Sequence, residues 1–190
     1  MIEAVLPTAL PGCFRLRLKP YTDARGRFVK TFQVSAFRQH GLAAAFREDF
    51  YTVSGPGVLR GMHFQVPPAD LTKTVGCLAG AVLDAVLDLR AGSPAYGRHE
   101  TLRLDADQPE LIYIPPGVAH GFLVLEAPAV LCYRQTSEYA PDADRGVRWD
   151  SCGIDWGVTA PVVSNRDLAL PRLAEFRTPF RYHPPAEGRT

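Results

Sequence analysis

Lysine is almost missing from this 190-residue chain: among 21 basic residues only Lys19, Lys30 and Lys73 are lysines. A mutational bias toward arginine codons accounts for the scarcity but not for the three that remain, so each is a candidate for a specific role. Cysteine is sparse too. Cys13, Cys77, Cys132 and Cys152 form no CxxC pair and no disulfide framework, and three of them sit among apolar residues. That pattern points to reduced, buried thiols in a cytoplasmic protein. The formal net charge is only +1, which removes the electrostatic case for nucleic acid or a membrane surface as partner. No apolar run approaches the roughly 20 residues that a membrane span needs. The N-terminal stretch MIEAVLPTALPG has no positive leader ahead of its apolar residues, so no signal peptide is expected. Internal repeats, low-complexity segments and linkers are missing, and the length suits one domain over residues 1–190.

What the chain has in plenty is short apolar runs. They cover residues 58–65, 72–78, 81–89, 99–104, 110–114, 120–125 and 130–136, with weaker ones at 13–18 and 27–32. Turn-forming clusters separate them, among them Pro67-Pro68, Gly92-Ser93-Pro94, Pro115-Pro116-Gly117 and Ala127-Pro128. Many short strands at near-regular spacing predict an all-β sandwich or small barrel. Helix is expected over 35–46, interrupted by Gly41, and once more in the tail from Leu168, ahead of a Pro-rich end. Between Ala81 and Leu89 the odd positions Ala81, Leu83, Ala85, Leu87 and Leu89 share one face and Val82, Asp84, Val86 and Asp88 the other. Period two predicts that one face packs between sheets; the carboxylate face is then either solvated or lines a polar barrel interior.

Two of the runs carry chemistry. Gly57-Val58-Leu59-Arg60-Gly61-Met62-His63-Phe64-Gln65 places an arginine and a histidine in a stretch otherwise suited to a buried strand. Burying a charge or an unpaired imidazole costs several kcal/mol, roughly, unless partners offset it. Ile114-Pro115-Pro116-Gly117-Val118-Ala119-His120-Gly121-Phe122 answers it downstream. Two histidines on two strands, with Lys73 between them in sequence, predict one concave site. Strict alternation puts Arg60 and His63 on opposite faces of their strand. Both reach one ligand only if the strand is irregular, and Gly61 is the expected place for a bulge.

These motifs, with Asp23-Ala24-Arg25-Gly26-Arg27-Phe28, Lys73 before a Val-rich strand, Asp84 to Arg90, Ser93 to Gly97, Tyr133, Tyr139, Trp149-Asp150 and Ser164-Asn165-Arg166-Asp167, resemble the dTDP-4-dehydrorhamnose 3,5-epimerase family over nearly the whole chain. The resemblance implies a cupin fold, a jelly-roll β-sandwich barrel with a few short peripheral helices. It implies an isomerase that inverts C3, C5 or both in a nucleotide-diphosphate-linked 4-keto-6-deoxy sugar through an enolate. His63 is then the base, Asp167 the carboxylate that orients it, Lys73 the electrophile at the carbonyl oxygen and Tyr133 the acid on the opposite face. A strand histidine taken alone is more often structural; the surrounding motif reverses that reading. Asp84 is a rival partner for His63. Arg25, Phe28, Lys30, Glu48, Arg60, His120 and Tyr139 are the implied substrate-binding residues, with Arg60 and Arg25 the best matched to phosphate oxygens. The family forms homodimers that exchange N-terminal strands, so residues 25–30 are expected to serve the neighbouring subunit.

No cofactor or metal is expected, since the slot where metal-binding cupins carry a His-x-His pair reads His63-Phe64-Gln65. Family members acting on thymidine-linked sugars carry a glutamate where this chain has Lys30. They carry a Gln-x-Asn-x-Ser pattern where it has Glu48, Phe50 and Thr52. An acid replaced by a lysine reverses the local charge, so a CDP- or GDP-linked sugar is a candidate beside TDP. Leu71 replaces the usual glutamine before Lys73. Competing readings are a non-catalytic sugar-nucleotide binding cupin, a 3,4-ketoisomerase, which the Lys73 and Tyr133 set argues against, and a metal-dependent cupin.

Overall fold

The computed structural model describes residues 1–184. The described residues form eleven strands, two short helices and two 3-10 turns. Strands β1 (Ile2–Pro7) and β2 (Phe14–Leu18) open it, followed by a hairpin of β3 (Pro20–Asp23) and β4 (Gly26–Val29). Helix α1 (Val34–Gln39), β5 (Glu48–Ser54) and β6 (Leu59–Gln65) come next. The centre is built from two long strands, β7 (Lys73–Asp88) and β10 (Val118–Gln135), with β8 (His99–Asp105) and β9 (Glu110–Ile114) between them in sequence. Strand β11 (Asp144–Gly146) and helix α2 (Asn165–Leu168) complete the set. The all-β expectation therefore holds, with helices confined to the periphery.

Strands β7 and β10 pair antiparallel along their whole length, and each changes outer neighbour halfway. In one half the order is β1-β2-β9-β7-β10-β5; in the other it is β8-β7-β10-β6-β11. Two sheets that share their central pair thus face each other as a sandwich. The sequence reading split each long strand in two, because Gly80 and Pro128 look like strand ends. Both instead mark a crease inside a continuous strand. Gly80 has φ +69, and a Cβ there would lie 2.2 Å from the Glu126 carbonyl oxygen, so only glycine fits the crease.

The crease also changes phase. On β7 the interior residues are Val75 and Cys77 before it and Val82 and Val86 after it; on β10 they are Val118, Phe122 and Val124, then Ala129, Leu131 and Tyr133. Even and odd positions exchange faces, so both halves of each strand look into one interior. This settles the Ala81–Leu89 stretch. Its Val82, Asp84 and Val86 face is the interior one, and Ala85, Leu87 and Leu89 pack outward under the C-terminal segment with Trp156 and Phe180. The carboxylate face lines the barrel and is not solvated.

Helix α1 covers the outer face of the other sheet through Phe37, packed with Leu16, Leu18, Leu111 and Tyr113. It is shorter than the helix expected over 35–46. It ends before Gly41, and the segment beyond returns to the same cluster, where Phe32, Phe37 and Phe46 meet edge to face. The tail forms α2 slightly earlier than expected and a 3-10 turn at Leu173–Glu175. The Pro-rich end expected beyond it lies partly outside the described residues. No helix of the described residues is long and apolar enough to cross a membrane.

Candidate active site

One mouth of the sandwich holds a cavity of about 260 Å³ lined by strands β5, β6, β7 and β10. His63 and Arg60 reach it together from β6. The ladder between β6 and β10 pairs His63 with His120 but Arg60 with Phe122, so three steps on one strand match two on the other. Gly61, with φ +135, absorbs the extra residue, and a Cβ on it would fall 2.5 Å from the Gly121 Cα. The expected irregularity is there, and it turns both side chains to the cavity.

His63 Nε2 lies 2.8 Å from Asp167 Oδ1, and the other carboxylate oxygen accepts from the Gly61 N–H at 3.1 Å. Asp167 is held in turn by α2, whose capping Ser164 Oγ accepts from the Asp167 N–H at 3.1 Å. Burial would raise the Asp167 carboxyl, but the bonds from His63 and Gly61 outweigh it and hold the group below its ordinary value. An ionised Asp167 accepts from Nε2–H, which leaves His63 Nδ1 as the basic nitrogen. Asp84, the rival partner, is taken elsewhere: its Oδ2 lies 2.7 Å from His120 Nε2, with both side chains buried. Two histidine–carboxylate pairs therefore stand side by side on paired strands.

Lys73, at the start of β7, is buried and donates to the His63 carbonyl oxygen at 3.3 Å. Burial lowers its amine to about 8, against the pull of the Asp84 and Asp144 charges. Asp84 Oδ1 is buried with no hydrogen-bond partner. Burial likewise lowers the His120 imidazole, so it stays neutral near pH 7. Burial pushes the Tyr133 phenol well above its ordinary value, the neighbouring Thr52 hydroxyl offsetting this in part, so it is held as a proton donor.

At the mouth, Arg60 Nε donates to Ser54 Oγ at 3.2 Å, Tyr139 stands exposed, and Arg166 pairs with Asp144 at 2.7 Å. Asp144, Arg166 and Gln65 line the cavity without having been singled out for a role in the sequence. Arg166 and Gln65 lay inside quoted motifs, but Asp144 opens the three-residue strand β11, which is too short to carry a signal of its own. Arg25, Phe28 and Lys30 do not line this cavity. Arg25 and Phe28 occupy the β3–β4 hairpin and Lys30 follows it; there Arg25 pairs with Asp23 at 2.5 Å and Phe28 meets Tyr21. Glu48 also stays off the cavity wall, at the start of β5 opposite Gln135, with its Oε2 buried and unpartnered. Among the described residues, no group of three or more histidine, cysteine or acidic side chains converges as a metal-binding set.

The sequence and the fold are matched by known proteins. The family model for dTDP-4-dehydrorhamnose 3,5-epimerase matches residues 7–175. A dTDP-4-dehydrorhamnose 3,5-epimerase of Mycolicibacterium smegmatis is 40% identical over 170 residues, 88% of this chain and 84% of the relative. A dTDP-4-dehydrorhamnose 3-epimerase of Streptomyces niveus is 36% identical over 174 residues, 90% of this chain and 84% of that one. The crystal structure of the dTDP-6-deoxy-D-glucose-3,5-epimerase of Legionella pneumophila, in complex with dTDP-4-keto-L-rhamnose, superposes with a TM-score of 0.89 at 32% identity, covering 95% of this chain and 98% of that one. A cupin-like sandwich, an oriented imidazole facing a shared cavity with a buried amine and phenol, and a sequence match across most of its length converge: the chain belongs to the dTDP-4-dehydrorhamnose 3,5-epimerase family of isomerases.

Proposed function

We propose that this protein epimerises C3, C5 or both of a nucleotide-diphosphate-linked 4-keto-6-deoxy sugar. The observation that carries the reading is that His63, Lys73, His120 and Tyr133 line one cavity. His63 Nδ1 takes the proton α to the ketone, and the Asp167 carboxylate stabilises the resulting imidazolium. The electron pair moves onto the carbonyl oxygen, where the buried Lys73 ammonium offsets the developing charge. The Tyr133 phenol returns a proton to the same carbon from the opposite face, and the phenolate and imidazolium reset by exchange with solvent. His120 donates or accepts at the sugar as a neutral imidazole fixed by Asp84. Proton NMR of nucleotide 4-keto sugars in D₂O tests this. Wild-type protein should exchange a ring proton next to the ketone and yield an inverted centre; a sugar left fully protonated would mark a binding module.

Lys73 gives this reading a pH signature. As pH rises through about 8 the buried amine loses its charge and its help to the enolate, so kcat falls on the alkaline side. Asp84 favours the charged form, so Asp84→Asn should move that fall to lower pH in a pH–rate profile. The same shift sets a stability trend. Between about 8 and the ordinary 10.5 the folded chain binds fewer protons than the unfolded one, so the group's contribution to stability improves as pH rises across that window. Below about 8 the burial penalty is fully present.

The nucleotide is proposed to differ from thymidine diphosphate, on the strength of Lys30, just after the hairpin, and of Glu48 on β5. Binding assays with TDP, CDP and GDP should show CDP or GDP preferred; a clear preference for TDP rejects the idea. A homodimer with exchanged N-terminal strands supplies the rest of the binding surface in this reading. Its support is the projecting hairpin that bears Arg25 and Phe28, with Lys30 just after it, and the exposed apolar side chains Tyr51, Val53 and Leu78 on the sheet. Four free thiols fit a cytoplasmic setting.

A further inference from the structure

Tyr133 is clamped by its neighbours in a way that its proposed role alone does not require. Phe50 on β5 is its direct cross-strand partner. The two rings lie nearly parallel, 8° apart in plane, with centroids 4.7 Å apart. The His120 ring meets Tyr133 from the side, at 6.2 Å and 74°. Phe50 is itself partly buried against the interior cluster and lines the cavity. Offset parallel stacking is a preferred arrangement of two aromatic rings, and it packs one face of the phenol against a flat neighbour. A tyrosine has two side-chain torsions, and a flat neighbour on one side with an edge-on imidazole on another restricts both.

We infer that Phe50 is a positioning residue for the proton-donating step: its ring fixes the plane and tilt of the Tyr133 phenol, and with them the line along which the hydroxyl meets the sugar carbon. This rests on the epimerase reading above and adds to it a residue that touches neither base nor amine. Proton delivery to carbon depends on alignment, and a displacement of about 1 Å costs on the order of a hundredfold in rate. Proton removal by His63 uses a different wall of the cavity. Phe50 should therefore govern how often a deprotonated sugar is completed to the inverted product, and leave the frequency of deprotonation alone.

The test measures two rates in D₂O on one protein: deuterium entering recovered substrate of unchanged configuration, and inverted product formed. Phe50→Leu keeps apolar bulk and removes the flat face. It should raise exchange per inversion by roughly tenfold or more, with exchange itself near wild type. Phe50→Tyr keeps the ring and should hold the ratio within about twofold of wild type, by the same alignment argument. Thermal unfolding checks that both variants fold. A Phe50→Leu protein whose exchange and inversion fall together, or whose ratio is unchanged, overturns the inference and leaves the epimerase reading standing. Wild-type protein that exchanges nothing overturns that reading instead, so the two failures are distinguishable.

Discussion

Replacing His63 with alanine should abolish both exchange and inversion together, a loss of about 10²- to 10⁴-fold for a general base. The two rates fall in step because no later event can occur without the first proton transfer. The alanine variant has a second effect. It strips one partner from a buried carboxylate: Asp167 would keep only the Gly61 N–H bond at 3.1 Å. An under-satisfied buried group of this kind costs about 1–3 kcal/mol of stability, more if it stays charged. His63→Gln separates these consequences. Its amide nitrogen reaches the place of the lost Nε2 and can still donate toward Asp167, but it has no nitrogen able to take a proton, so stability should recover while turnover does not. Initial rates with a 4-keto sugar nucleotide, set beside thermal unfolding of both variants, read the outcome. Near wild-type turnover by either protein would remove His63 from the role of base.

Tyr133→Phe should produce a different kinetic pattern. The base, its carboxylate and the Lys73 ammonium are untouched, so the enolate still forms and still collapses from the side of His63. Deuterium should enter substrate of unaltered configuration at close to the wild-type rate. Inverted product should fall by about 10²- to 10⁴-fold, the usual range for a general acid. The loss of a hydroxyl leaves the stack with Phe50 intact, since only the rings make it. Mass spectrometry of recovered substrate and proton NMR of the product give the two rates. Inverted product accumulating at the wild-type rate would hand the acid role to another group, for which the candidate is the buried His120, whose ring meets that of Tyr133 at 6.2 Å in the same cavity.

The sequence was most informative where a residue conflicted with its surroundings. Arg60 and His63 have opposite parity on one strand, and that conflict located the irregularity at Gly61. The two histidine runs do meet, and His63 and His120 turn out to be direct ladder partners. No one-dimensional pattern contains that register. The same limit left Asp84 ambiguous. Period two put it on a face, but its partner is decided by which side chain β10 brings opposite, and that is His120. Strand β5 was missed as a strand because its pattern runs inside out: Tyr51 and Val53 face solvent while Phe50 and Thr52 turn inward. Strand β1 was missed because its apolar residues Ile2, Ala4, Val5 and Leu6 do not alternate with polar ones, and α1 was drawn too long because a helix-like composition continues past Gly41. The assignments of Arg25, Phe28 and Lys30 came from family resemblance; the strand over 27–32 was legible, but strand patterns do not reveal that its hairpin stands away from the cavity.

The crease in the two central strands has a consequence for how this scaffold tolerates change. Lys73 and Tyr133 lie on one side of it, Asp84 and His120 on the other, and all four reach the interior only because the alternation resets at the bend. Surface connections ordinarily accept an extra residue without complaint. Here a single insertion or deletion at Gly80, or beside Pro128, would leave every strand formed yet rotate half of the reactive groups outward. Diversification is thereby steered away from the middle of the molecule and toward the hairpin and the loop bearing Tyr139, where new selectivity can arise while the chemical machinery is inherited whole.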